Sequence, residues 1–433
     1  MNGFLLRFLT WSVRRAVRRE RPQIVAVAGS VGKTSTKLAA GIALGDGVPG
    51  SGVRASAKNY NNELGVPLTI LGRPAPGRSP SAWIATIARA KALAVGLGNI
   101  GAKTLVLEYG TDHPGDLKHL ISIARPDVAV LTAIGAEHTE YFGSIDAVAE
   151  EERDIVRALG PDGIAVLNAD DPVVLATKDE TKATVVTFGE SPDADVRLLS
   201  YRVAVDAQDP GASGLDIHID TYGTNTQFRI TGAFGKPHAL AVSAALAVIV
   251  GLDDDIHAAI QRLRERYHGM IGRTRLIEGI KRTMLLDDTY NSSPLAALSA
   301  IRDLVGYPVQ DGCRRIAALG DMLELGNLSD ESHRLVGKAV AEAGIDMLVA
   351  VGAMAHVVRD AAVGAGMPED RAFAFAASPE AGLFIQERLR QGDAVLIKGS
   401  QGVRMEKITK ELMAHPEHAQ DLLVRQADGW EER

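Results

Sequence analysis

The chain has 433 residues, 46% of them hydrophobic and 23% charged, with a formal net charge of −7. That length is too great for one ordinary core and predicts two or three domains, while the apolar content excludes a disordered chain. The acidic balance argues against a nucleic-acid binder, and a lone Cys313 excludes an internal disulfide or a cysteine-rich zinc site, so a reducing cytoplasm is the expected setting.

Residues 1–22, MNGFLLRFLTWSVRRAVRRERP, depart from this mild picture, with Arg7, Arg14, Arg15, Arg18, Arg19 and Arg21 and no acid before Glu20. On a helix Leu5, Phe8, Leu9, Val13, Ala16 and Val17 share one face, and Arg7, Arg14, Arg18 and Arg21 another. The apolar run is too short to span a bilayer and lacks the small-residue cleavage site of a signal peptide. Two readings stand: a helix docked on the body of the protein, or residues 1–21 as a peripheral contact lying on an anionic membrane.

From residue 23 to about 190, QIVAVAG, TLVLEYG, DVAVLTAIG, GIAVLNADD and ATVVTFG are short Val/Ile/Leu runs ending in Gly or polar residues. Such runs suit a parallel sheet covered on both faces, where ligands gather at the carboxyl ends of the strands. Gly29, Glu108, Thr132 and Asn168 all fall at or just beyond those ends. Residues 195–232 alternate with period 2, in GLDIHIDTYG and TQFRITG, and predict antiparallel strands added to the sheet. Helical stretches HALAVSAALAVIVGL and IHAAIQRLRERY follow, and LGRPAPGRSPS at 71–81 reads as an exposed loop. Near Arg273 the pattern restarts with RTMLLDDTYN, RRIAALGDM, DMLVAVG and DAVLIKGSQG. The expected fold class is α/β: a P-loop central domain with a mostly parallel sheet at 23–272, then a C-terminal Rossmann-like α/β domain at 273–433.

VAVAGSVGKTSTK carries the most chemistry. A strand runs into Gly29, Ser30, Val31, Gly32, Lys33, Thr34 and Ser35, and then into a helix. Glycines let backbone N–H groups close around phosphate oxygens at a helix N-terminus; Lys33 would meet the β/γ-phosphates and Thr34 would bind Mg²⁺. Val27 stands where the strict P-loop pattern has Gly, so this is a shortened variant. Glu108 and His138 lie beyond neighbouring strands and could together hold a second divalent ion, although a lone loop histidine is more often only hydrogen-bonded.

GSVGKTSTK, NYNNELGVPLTIL, LEYGTDHPGDL, IGAEHTEYFGS, LNADDP, DDTYNSSP, LGDMLELG and KGSQGVRME occur in that order. Together they resemble the Mur ligases, most closely the branch that adds D-alanyl-D-alanine, over roughly residues 23–410. The resemblance implies a cytoplasmic, ATP-dependent amide ligase of peptidoglycan precursor synthesis. Its muramoyl-peptide acceptor would be activated as an acyl phosphate and joined to D-Ala-D-Ala. It further implies ATP and two Mg²⁺ ions, with Thr34, Glu108 and His138 as metal ligands. Arg273, Asp288 and Asn291 would reach the nucleotide, and Lys398 would face the substrate. Asn61 and Asn62 would be substrate contacts, and a monomer is expected. Set beside this, Asp288 could simply cap a turn and Lys398 could be a surface charge.

Four departures from the family pattern stand out. The phosphate loop begins at residue 29, so the family's preceding uridine-binding domain is expected to be missing. Ala241 replaces a usual Asn, leaving His238 as the nearby polar group toward the nucleotide, and Gln401 replaces a common Arg. Where the family places a carbamylated lysine that supports the second metal, this chain has Glu152.

That last position can be read without the family. With Ser144 as cap and about 100° per residue, Ile145, Val148, Ala149, Ile155, Val156 and Leu159 form one apolar stripe. Glu152 falls at its centre, Glu150 opposite and Glu151 on the flank. An inward carboxylate must be paired or bound to a cation. Glu152 is therefore expected either to supply a built-in carboxylate for the metal near His138 or to form a buried salt bridge. Two further functions stay in view: the same chemistry on a different, lipid-linked acceptor, and a non-catalytic nucleotide-binding scaffold.

Overall fold

The computed structural model describes residues 3–56, 60–135, 139–205 and 212–426. Nine strands form the first sheet: β1 Gln23–Ala28, β2 Val53–Ala55, β3 Thr104–Glu108, β4 Val128–Leu131, β5 Ile164–Asn168, β6 Thr184–Gly189, β7 Val196–Ala204, β8 Gly214–Thr221 and β9 Thr224–Thr231. Their order is β2-β3-β1-β4-β5-β6-β7-β8-β9. Pairing is parallel as far as β7 and antiparallel through β8 and β9; the change of period at 195 predicts the antiparallel pairs, but β7 itself joins β6 in parallel. The short β2, VRA, has no apolar run and was not legible in the sequence.

The helices of this half are α1 Gly3–Glu20, α2 Lys33–Leu44, α3 Gly65–Leu71, α4 Pro80–Ala94, α5 Asp116–Ile123, α6 Thr139–Phe142, α7 Ile145–Arg157, α8 Pro172–Leu175, α9 Lys236–Gly251 and α10 Ile256–Arg266. They cover the sheet on both faces, which is why β1 is apolar from Ile24 onward. Val25 and Val27 pack with α2, α9 and α10, while Ile24, Ala26 and Ala28 pack with α1, α3, α4, α5 and α7. The sequence β3-β1-β4 puts β3 and β4 on opposite sides of β1, so the chain reverses direction of growth there and leaves a crevice at the carboxyl end of β1.

Helix α1 is docked. Leu9, Val13 and Ala16 are completely buried, and Leu5, Phe8 and Val17 are only partly covered. Serine 144 caps α7 by accepting from the Ala147 N–H at 3.2 Å. The apolar stripe of α7 packs inward except Ile145, in the first turn, which is 42% exposed. The 71–81 segment is shorter as a loop than expected, since Leu71 closes α3 and Pro80 starts α4.

A second sheet begins at Arg275: β10 Arg275–Gly279, β11 Thr283–Asp288, β12 Arg315–Gly320, β13 Met347–Val351, β14 Ala372–Phe375 and β15 Ala394–Lys398, in order β10-β11-β15-β12-β13-β14. All pairs are parallel except β10 with β11. Its central strands alternate between two apolar layers, Leu286 and Leu396 on one side, Leu285 and Val395 on the other. Helix α11, Pro294–Gly306, faces the first half of the molecule across the crevice.

Candidate active site

The loop after β1 is shaped by two glycines. Gly29 and Gly32 have φ of 120° and 91°, and a Cβ on Gly29 would lie 2.3 Å from Thr132 Oγ1. The loop is tied to the strand beside it: Ser30 N–H donates to Ala133 O at 2.6 Å, and Gly135 N–H to Ser30 Oγ at 3.0 Å. Helix α2 starts at Lys33 with no side-chain cap, so its first N–H groups are left for an anion. Lys33 Nζ folds back onto the carbonyls of Gly29 and Ser30, and Ser35 lines the same cleft.

Glu108, at the end of β3, is 1% exposed. Its Oε1 accepts from Thr34 Oγ1 at 3.0 Å and from Asn61 Nδ2 at 3.2 Å. Its Oε2 accepts no hydrogen bond among the described residues and lies 3.4 Å from Lys37 Nζ. Lys37, one turn past Lys33, is as buried as Glu108; burial pulls its pKa down, and the Glu108 charge opposes that pull. Sequence reasoning missed Lys37, although the second lysine of GKTSTK on the Ala39/Ala40 helix was its signal.

The opposite wall comes from the second sheet. A cleft of about 200 Å³ joins Lys33, Thr34, Asn61 and Glu108 to Arg273, Asp288, Asn291 and Lys398. The Arg273 guanidinium lies 4.4 Å from the centre of the Tyr290 ring, and its Nε is buried with no hydrogen-bond partner among the described residues. Lys398 is no surface charge: it is 3% exposed, pairs with Asp288 Oδ2 at 2.6 Å and donates to Asn291 O at 2.9 Å. A second cavity of about 330 Å³ opens on the other side of the loop, with Thr132, Asn168, Leu240 and Ala241 in its wall.

The three glutamates of α7 separate. Glu150 is on the surface with Arg153 and Arg157, which hold its carboxyl below the usual range. Glu151 turns inward instead of staying on the flank, accepting from Gly115 N–H and Leu117 N–H at 3.0 and 2.9 Å, and so caps α5. Glu152 is 1% exposed. Its Oε2 accepts from Gly29 N–H at 2.8 Å and its Oε1 from Thr111 Oγ1 at 2.7 Å. Two of its partners are thus the phosphate loop and a hydroxyl.

Glu152 itself does not line the cleft, and two further expected contacts are not brought to it. His238 is fully buried, with Nδ1 on Tyr267 Oη at 2.6 Å and Nε2 on Arg273 O at 3.0 Å; it supports the crossing between the two halves, and burial lowers its pKa. Asn62 is spent at the start of α3, where its Oδ1 accepts from Leu64 and Gly65 N–H at 3.2 and 2.9 Å. His138 lies outside the described residues. Asp303 of α11, not foreseen, reaches across the crevice to accept from Lys236 N–H at 3.0 Å at the start of α9; burial pushes its pKa up to about 7.

Among the described residues no group of three His, Cys, Asp or Glu side chains forms a metal cage. The donor set at Glu108 nevertheless fits Mg²⁺, which is held by one or two carboxylates, a hydroxyl and substrate phosphates rather than by a cage. The buried Glu108 carboxylate beside the Thr34 hydroxyl, with Oε2 facing Lys37 at 3.4 Å but accepting no hydrogen bond among the described residues, is the observation that bears on this requirement.

Fold and site together define a phosphate-loop α/β protein whose second α/β half closes one wall of the nucleotide cleft. The chain belongs to the Mur ligase family: residues 87–248 match the Mur ligase middle domain and residues 272–401 the Mur ligase glutamate ligase domain, together about two thirds of its length. It is similar to the UDP-N-acetylmuramoyl-tripeptide–D-alanyl-D-alanine ligase of Bacillus subtilis, 28% identical over 400 residues, covering 91% of this chain and 76% of the relative. The ligase of the same name from Escherichia coli is 29% identical over 413 residues, covering 92% and 78%. Among solved structures, MurF from Acinetobacter baumannii matches with a TM-score of 0.74 at 25% identity, over 94% of this chain and 79% of that one. MurF ligase from Thermotoga maritima, solved in complex with ADP, has the same TM-score at 24% identity over 94% and 83%, a likeness of fold.

Proposed function

We propose that this chain is an ATP-dependent ligase that joins D-Ala-D-Ala to a UDP-N-acetylmuramoyl-tripeptide, acting in the cytoplasm. The carrying observation is the single cleft in which Lys33, Thr34 and Glu108 face Arg273, Asp288 and Asn291 from the other half. In this reading residues 23–272 hold the nucleotide and residues 273–433 close over it. The cavity beside Ala241 takes the base, with apolar contact replacing an amide side chain.

The acceptor's carboxylate oxygen attacks the γ-phosphorus, the bond from that phosphorus to the β,γ-bridging oxygen breaks, and ADP leaves. The dipeptide amine then attacks the acyl carbon of the acyl phosphate, loses a proton, and phosphate departs as the amide forms. Negative charge concentrates in both steps, so fixed donors aimed at it lower the barrier. Lys33 and the uncapped start of α2 bind the phosphate oxygens. Arg273 brings a cation from the far wall, held in place by Tyr290. Lys398 keeps Asp288 and the Asn291 backbone in position. Thr34 and Glu108, with His138, would hold Mg²⁺, which when bound neutralises phosphate charge. Glu152 serves as a built-in carboxylate next to that site, and it fixes the loop through Gly29.

The test is phosphate release from ATP with D-Ala-D-Ala and a panel of acceptors. Turnover with the nucleotide-linked tripeptide is expected. Turnover only with a lipid-linked or nucleotide-free peptide would overturn the acceptor assignment. Tight ATP binding without turnover on any acceptor would leave a scaffold.

A further inference from the structure

We infer that α1 and α4 together form a docking face for an anionic lipid surface. Helix α1 buries Leu9, Val13 and Ala16, and its opposite side carries Phe4, Arg7, Trp11, Arg15 and Arg18 at spacings that keep them on one face. Phe4 is 81% exposed and Trp11 51%. Helix α4 packs beside α1, and its outward side and the turn after it expose Ile84 (69%), Val95 (58%) and Leu97 (84%). Arg19 joins the two at one end, donating to Leu93 O at 2.8 Å and Gly98 O at 3.1 Å.

Charge is distributed to match. Residues 1–19 and 64–107 hold ten lysines and arginines and not one aspartate or glutamate, in a chain of net charge −7. The two segments thus concentrate positive charge on a molecule that is otherwise strongly acidic, and such a patch is drawn to anionic headgroups. Among the described residues no helix is long and apolar enough to cross a membrane, so the contact is interfacial.

Lipid is favoured over the other candidates on chemical grounds. Aliphatic Ile84, Val95 and Leu97 gain from leaving water for hydrocarbon and have nothing to stack on in a nucleic acid. A second copy of the chain would bring the same arginines face to face. The inference stands on this surface alone and does not depend on the ligase reading.

The experiment is sedimentation of the full chain with vesicles of phosphatidylcholine, or of phosphatidylcholine with about one third phosphatidylglycerol, at low and high salt. Binding is expected only to the anionic vesicles and weakens with salt. The variant F4S/I84S/L97S, altered only at exposed positions, keeps the wild-type melting curve and binds at least about tenfold more weakly, since three insertions are lost. No binding to anionic vesicles, or equal binding by the variant, would overturn the proposal. Tighter binding to a short duplex than to vesicles would also overturn it, as would a dimer in sedimentation velocity that the variant abolishes.

Discussion

Replacing Glu152 is the sharpest probe of how the loop is held. In Glu152→Ala, Gly29 N–H and the Thr111 hydroxyl lose their 2.8 and 2.7 Å acceptors in a region closed to water. Each buried donor left unpaired costs about 1–2 kcal/mol, so the loss is roughly 2–4 kcal/mol. For a domain of this size that lowers the melting temperature by roughly 4–16 °C. Glu152→Gln can turn its single oxygen to the Gly29 N–H while its amide nitrogen donates to the Thr111 hydroxyl, so no more than about half the loss is expected. Calorimetry gives the stability term. Titrating Mg²⁺ against phosphate release in the milder Gln variant gives the functional one, because a purely structural carboxylate leaves the Mg²⁺ requirement unchanged. If Glu152→Ala melted as the wild type and kept its ATP affinity and Mg²⁺ response, both the clamp on Gly29 and the metal role would be refuted.

Three further outcomes are expected. Lys33→Ala removes the loop's cation and lowers turnover by about 10²–10³-fold with little change in melting temperature, as stopped assays and thermal melts will show. Lys37→Met leaves the buried Glu108 carboxylate without its ammonium and destabilises by about 3–5 kcal/mol, read by denaturant titration; a neutral effect would mean that Thr34 and Asn61 suffice. Asp303 titrates near 7 when folded and near 3.8 when unfolded, so folding favours its protonated form. Stability from this group is full below the unfolded value and is lost as pH rises through about 7. Asp303→Asn keeps an acceptor for Lys236 N–H and removes that loss, at most roughly 4 kcal/mol. The variant gains on the wild type as pH rises from about 4 to 7 in parallel urea titrations, and a constant difference would refute the assignment.

The phosphate loop was legible because its requirements are local: glycines at two left-handed positions, a lysine, a hydroxyl, and a helix start. The parallel strands were legible for the same reason, each being a continuous apolar run between two covered faces. Edge strands β2 and β10 were not, since an edge strand needs no such run; β14 carries one, AFAF, but was not singled out. The site was read only in part. Asn61 and Asn62 are neighbours of one type, yet one holds Glu108 and the other the start of α3. His238 looked like a nucleotide contact until Tyr267, 29 residues on, took its ring nitrogen.

The run at 150–152 shows where the division lies. Helical period alone set Glu150 outward and Glu152 inward, because the angular position of a side chain depends only on its place in the helix. That Glu151 caps α5 and that Glu152 meets Gly29 was decided by tertiary structure, since Leu117 and Gly29 are 34 and 123 residues away. The same holds for α1, whose amphipathic pattern allowed two surfaces until α4 covered one face and left Phe4 and Trp11 outside. Backbone conformation and periodicity are written locally; the partner of a buried polar group is chosen by the fold that brings distant residues together.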